Sequence, residues 1–188
     1  LDVDIYFVQG GSVVRKEQTE FANQLFINDG SGYFTNVTAG SGAGDMKYGT
    51  GVTTGDYDND GDVDIYITNV EENVLLRNEG DGKFVDVTEI AGVGEVRWSA
   101  SAAFFDMEND GDLDLFISNY IDWSYETELE CKGKFGRLGY CHPQSYGAPA
   151  RDSLYQNNGD GTFTDISVSS GIHSVYGNGL GVAVGDVN

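Results

Sequence analysis

The sequence predicts an all-β chain, a portion of a β-propeller whose blades are four-stranded antiparallel sheets. Three observations point there. The 188 residues include 27 glycines and only two prolines, beside 11 tyrosines and 10 phenylalanines. Such a composition suits short strands joined by tight turns. A unit then recurs at a regular spacing, the mark of a repeat architecture. Finally, each unit joins alternating apolar segments through a glycine turn and an acidic loop.

The chain opens on "LDVDIYFV", which aligns with "GDVDIYIT" at 61–68, so Leu1 stands where Gly61 does and the chain begins inside an acidic loop. The segment "NQLFINDGSGYFTNVT" (23–38) returns as "NVLLRNEGDGKFVDVT" (73–88) and "DSLYQNNGDGTFTDIS" (152–167). Each copy leads through a glycine-rich bridge to "GVTTGD", "SAAFFD" or "GVAVGD". The step from Phe34 to Asp56 is 22 residues, from Phe84 to Asp106 is 22, and from Phe163 to Asp186 is 23.

Within one unit the pattern predicts four strands. The first runs over roughly 50–55 to the acidic loop, and the second leaves it as "VDIYIT" (63–68). The third and fourth, near 73–78 and 83–88, flank "NEGDG", a hairpin turn. Four short antiparallel strands per period describe a propeller blade. A β-solenoid would have shorter coils, and a sandwich would lack the internal identity. The expectation is two complete blades plus parts of two more. Since propellers close with four to eight blades, the 188 residues are expected to belong to a longer chain or a larger assembly.

Charge sharpens the reading. Thirty-one acidic residues face ten basic ones, for a net charge of -21, which excludes binding to nucleic acid or an anionic membrane by a basic face. No apolar run approaches the roughly 18 residues of a membrane span, and no signal peptide is visible, as in a mature or partial chain. The acids are concentrated. "DYDNDGDVD" carries Asp56, Asp58, Asp60, Asp62 and Asp64, and "DMENDGDLD" carries Asp106, Glu108, Asp110, Asp112 and Asp114. Like charges about 4 Å apart repel by roughly 4 kcal/mol at an effective dielectric near 20, so such a loop needs compensation.

Alternating oxygens followed by glycine is how a short loop wraps a hard cation. Calcium takes six to eight oxygens, and glycine permits the sharp turn. Side chains of Asp56, Asp58, Asp60 and Asp64 are the expected ligands in the first loop, with the backbone carbonyl of Asp62. In the second they are Asp106, Glu108, Asp110 and Asp114, with the carbonyl of Asp112; Glu108 is one methylene longer than its counterpart. Asp4, Asp186 and Asn188 occupy matching places in the incomplete loops. An EF-hand would need glutamate at the twelfth position and flanking helices, whereas Ile67 and Ile117 stand there between strands. A metal-free acidic hairpin leaves the repulsion unopposed. Magnesium sheds water reluctantly, and there is no Cys/His cluster for zinc.

These stretches resemble the calcium loops of FG-GAP/VCBS repeats, as in integrin α-subunit propellers. Together with "LYQNNGDGTFTDIS" they look more specifically like the ASPIC/UnbV type. The resemblance covers nearly the whole chain as one propeller portion, 1–188. It implies a secreted or surface propeller whose calcium loops join the first two strands of each blade, at the ligand positions named above.

From Asp106 to Asp186 the spacing is 80 residues, about 30 more than the preceding period. The excess is an insertion at about 120–151 between second and third strands. It contains Tyr120, Trp123, Tyr125, Phe135, Tyr140 and Tyr146, four basic residues (Lys132, Lys134, Arg137, Arg151) and both cysteines, Cys131 and Cys141. Two cysteines in a glycine-rich loop suggest a disulfide and an oxidising compartment, with free thiols as the alternative; the resemblance favours the disulfide. A long loop on a rigid scaffold often carries function, although the aromatics could instead pack the loop onto its own blade.

The expected function is a non-enzymatic binding, adhesion or scaffold module, secreted, periplasmic or at the cell surface, with an unknown protein or carbohydrate ligand. The alternatives are the propeller of a polysaccharide-acting enzyme or a structural subunit of a larger assembly. No nucleophile elbow, H-E-x-x-H or phosphate loop is present; His142 beside Pro143 is a lone loop histidine, a pattern that is usually not catalytic, and His173 lies in an inter-strand bridge with no nearby acid–base partner in sequence. Asn36-Val37-Thr38 is a glycosylation sequon inside an expected strand.

Overall fold

The structure, a computed structural model, describes residues 2–10, 21–133, 135–139 and 141–187. Leu1, Lys134, Tyr140 and Asn188 lie outside the described residues. Strands β1 (Ile5–Phe7), β2 (Gln24–Asn28) and β3 (Phe34–Asn36) form one sheet in that order. Strands β4 (Gly49–Gly55), β5 (Asp64–Asn69), β6 (Val74–Asn78) and β7 (Phe84–Asp86) form a four-stranded meander. A second meander contains β8 (Trp98–Phe105), β9 (Asp114–Ile121), β12 (Ser153–Asn157) and β13 (Phe163–Asp165). Strands β10 (Cys131–Lys132) and β11 (Leu138–Gly139) pair only with each other, inside the insertion. Every pairing is antiparallel. The two complete blades and the partial first blade are those of a β-propeller.

The cores lie between sheets. One packs Leu25, Ile65, Ile67, Val74 and Leu76 between the first and second blades, and another packs Tyr66, Leu75, Leu115, Ile117 and Tyr155 between the second and third. This explains β5, all six of whose residues are buried. Successive side chains point to opposite faces of a strand, so Ile65 and Ile67 serve one core and Tyr66 the other. Its hydroxyl donates to the Val93 carbonyl at 2.8 Å, as Tyr6 does to Ala43 at 2.7 Å one blade earlier. The innermost strands β4 and β8 lie against each other. A Cβ on Gly51 would meet the Ala100 carbonyl oxygen at 2.7 Å, so glycine is required there.

The fourth strand of the second blade stops at Asp86, short of the expected 83–88. Side chains take over the ladder: Thr88 Oγ1 accepts from Leu75 N at 2.9 Å, and Asp86 Oδ1 accepts from Thr88 N at 3.0 Å. A short helix, α1 (Thr88–Ala91), follows and ends on Gly92 at φ 75°. Residues 179–186 repeat the sequence of β4 but form no strand among the described residues. Gly179 N still donates to the Asn119 carbonyl at 3.0 Å, as Gly49 N does to Gln9 at 3.1 Å, so the segment enters its blade at the equivalent point.

Candidate metal centre

Both acidic loops hang between the first two strands of a blade, from β4 to β5 and from β8 to β9. In the first, the Asp56 carboxylate accepts from Asp60 N at 3.1 Å and Gly61 N at 3.0 Å, and Asp60 Oδ1 accepts from Asp62 N at 2.8 Å. The second repeats this with Asp106, Asp110 N (3.1 Å), Gly111 N (3.0 Å) and Asp112 N to Asp110 Oδ1 (3.0 Å). Both loops turn through left-handed residues, Asn59 and Gly61 at φ 58° and 95°, and Asn109 and Gly111 at 59° and 96°. This bends each loop back on itself.

The last aspartate is anchored at both oxygens. Asp64, fully buried, accepts from Tyr57 N at 3.0 Å and from Asn78 N at 2.8 Å. Asp114 accepts from Met107 N at 2.9 Å and Asn157 N at 2.9 Å, and Asp4 accepts from Asn28 N at 2.8 Å. Asn28, Asn78 and Asn157 also donate their side-chain amides to the carbonyl preceding that aspartate, at 3.3, 3.1 and 3.0 Å. Their place in every repeat was the signal for this role, but within "NDG", "NEG" and "NNG" they read only as turn residues.

The loops differ in how their carboxylates meet. Asp56, Asp58 and Asp64 bring ligand oxygens within 4.8 Å of one another. Asp58 Oδ1 is buried with no hydrogen-bond partner. Burial raises the Asp58 carboxyl above its ordinary pKa, and the neighbouring Asp60 charge adds to this. Burial also pushes Asp64 up to about 6, against its two N–H donors and with help from the Asp58 and Asp60 charges. Asp60 stands outside the three-carboxylate group. In the second loop, the longer Glu108 turns aside to accept a hydrogen bond from Gln156 Nε2. Gln156 stands where Arg77 does, and Arg77 pairs instead with Glu79.

Asp62 and Asp112 point away from the loop centres, lying over the hairpin glycines Gly80 and Gly159. Asp112 Oδ1 also accepts from Asn59 Nδ2 at 2.8 Å, and Gly111 O from the same amide at 3.3 Å, which ties the two loops together. Asp4 sits in the first sheet's version of the Asp64 site. Asp186 lies in the exposed segment after the third blade, and Asn188 falls outside the described residues.

The insertion divides into two parts. Cys131 and Cys141 are joined, with Cα atoms 5.2 Å apart, and flank the β10–β11 hairpin. Phe135 on that hairpin is 91% exposed. Tyr120, Trp123, Tyr125 and Tyr146 instead pack with Trp98, Val70 and Ile121 at the base of the blades. Four of the six aromatics therefore do hold the insertion onto the blades; Tyr140 lies outside the described residues. His142 Nδ1 accepts from Gln144 N at 3.3 Å and shapes a turn. Among the described residues, no helix is long and apolar enough to cross a membrane.

A family model described as "FG-GAP-like repeat" matches residues 2–67 and 56–117, together spanning more than half of the chain. A 35-residue stretch is 57% identical to cartilage acidic protein 1 of Xenopus tropicalis, covering 19% of this chain and 5% of that relative.

Proposed function

Because the chain belongs to the FG-GAP-like repeat family, we propose that it is a calcium-stabilised, non-enzymatic binding module that works outside the cytoplasm. The observation that carries this reading is the buried, unpartnered Oδ1 of Asp58 beside Asp56 and Asp64. An anionic oxygen shielded from water and facing like charges needs a cation or a proton. All donors are hard oxygens, which suits calcium. Asp56, Asp58, Asp60 and Asp64, with the Asp62 carbonyl, would hold one ion. Asp106, Glu108, Asp110 and Asp114, with the Asp112 carbonyl, would hold another once Glu108 leaves Gln156. Asp4, Asp186 and Asn188 would serve further loops of the same kind.

A bound ion would supply positive charge to offset carboxylates that otherwise repel, held by residues at the end of β4 and the start of β5. The Cys131–Cys141 disulfide supports an oxidising setting, secreted, periplasmic or at the cell surface. The 120–151 insertion, projecting from a rigid blade, is our proposed contact surface for a protein or carbohydrate partner.

Thermal melting tests the metal reading. A chelator lowers the melting temperature, calcium restores it, and magnesium restores much less. An unchanged melt in excess chelator overturns it.

A further inference from the structure

The two acidic loops belong to neighbouring blades, yet one side chain joins them. Asn59 Nδ2 donates to Asp112 Oδ1 at 2.8 Å and to the Gly111 carbonyl at 3.3 Å. The two bonds grip the backbone just before residue 112 and the side chain of that residue. Asp112 is held from two other directions. Its N–H donates to Asp110 Oδ1 at 3.0 Å, and its Oδ2 lies over the hairpin glycine Gly159.

Asn59 occupies a left-handed turn at φ 58°, a conformation asparagine tolerates better than most residues with a side chain. Asn109, its counterpart in the second loop, shares the turn at φ 59° but makes no such bond among the described residues. The contact therefore runs one way, from the first loop into the second. Both of its ends sit beside proposed cation donors. Asn59 stands between Asp58 and Asp60 of the first loop, and the backbone carbonyl of Asp112 is a proposed donor of the second. A cation held by Asp58 and Asp60 would order the backbone between them, and with it the Asn59 amide. Part of the cost of ordering the contact is then met in the first loop, so less falls on the second.

We propose that Asn59 is a positioning residue for the second calcium loop: it holds residue 112 in place, so that filling the first loop raises the calcium affinity of the second. Linkage makes the gain reciprocal. The inference rests on the calcium reading of both loops. Two bound cations also repel, which acts with the opposite sign. At about 0.15 M salt the screening length is only about 8 Å, and an uncharged substitution at position 59 leaves that repulsion as it was.

Gly61 N and Gly111 N donate to Asp56 and Asp106, so their amide signals, in the full chain isotopically labelled at glycine, read the filling of each loop separately. The chain is titrated with calcium at about 0.15 M salt. Asn59→Gly keeps the left-handed turn and moves the Gly111 midpoint to about fivefold higher calcium. Asp112→Ala does the same, and Asp112→Asn, which keeps an oxygen acceptor, recovers most of the loss. With the first loop disabled by Asp58→Asn, the Gly111 midpoint also rises, and adding Asn59→Gly moves it by less than about twofold more. An unchanged Gly111 midpoint in Asn59→Gly, with both loops still filling, overturns the proposal. So does a full fivefold effect of Asn59→Gly in the Asp58→Asn background, since the contact would then act without regard to the first loop. If neither glycine signal responds to calcium, the calcium reading itself fails and the coupling falls with it.

Discussion

The two acidic loops share a backbone to within 0.2 Å in every corresponding hydrogen bond, yet only the first gathers three carboxylates within 4.8 Å of one another. The contrast lies at the third position. Asp58 is too short to reach the neighbouring strand and stays inward, its Oδ1 buried and unpaired. Glu108, one methylene longer, reaches Gln156 on β12. Backbone geometry therefore sets the frame of such a loop, and one side-chain length decides whether it is charged inward or relaxed outward. The first loop should bind calcium more tightly, and the second should cost less to leave empty.

The largest effect expected is from removing the metal altogether. At calcium about 100-fold above the dissociation constant, one site adds about 2.7 kcal/mol. Stripping it lowers the melting temperature by about 5–10 °C for a domain of this size, and isothermal titration should resolve a tight and a weak class of site. A single class would break the distinction between the loops.

Asp64→Ala ranks next. It leaves Tyr57 N and Asn78 N without acceptors, which costs about 2–6 kcal/mol even in chelator, since each buried orphan costs about 1–3 kcal/mol. Asp58→Asn separates the two roles of the first loop. Calorimetry should show its calcium site lost, while the calcium-free form melts higher than wild type because a buried charge is gone.

The distinction can also be erased. Glu108→Asp is too short to reach Gln156 and should raise second-loop affinity about tenfold, by restoring the inward carboxylate. Unchanged titration would show that something other than side-chain length separates the loops.

Acidity affects the first loop in a definite direction. Asp64 has its carboxyl pushed up to about 6 from an ordinary 3.8, so below that pH a proton must leave before a cation enters. Calcium affinity falls by up to about tenfold per pH unit below about 6, measurable by titration at pH 7 and 5. By the same linkage the calcium-free fold gains stability as pH drops from about 6 toward 4, because the folded state holds the proton more firmly than the unfolded chain. The smallest effect is at the tie between loops: Asn59→Ala costs about 1 kcal/mol, seen as a slightly lower melting temperature.

Much of this was legible in the sequence. The repeat placed the four strands of the second blade within a residue or two, because alternation and turn glycines are local signals, whereas β9 in the next blade runs on to Ile121. The ends of the acidic loops were equally clear from their spacing. What escaped was tertiary. Asn28, Asn78 and Asn157 act across a strand on an aspartate 14 to 43 residues away. Asn59 reaches into a different blade. The diversion of Glu108 depends on Gln156, 48 residues on. β7 stops early because Thr88, a strand-forming residue by propensity, puts its hydroxyl in the ladder instead.

The glycine at position 51 sets a limit on the assembly as a whole. Small residues along β4 and β8, "GTGVTTG" and "WSASAAFF", act as a spacer whose thickness fixes how far apart neighbouring blades stand at their inner edge. A valine at Gly51 would wedge that edge open from the Ala100 side. The displacement would carry along the rim to the Asn59–Asp112 contact, so the bulk of a side chain at the hub would be felt as a misaligned cation site at the periphery.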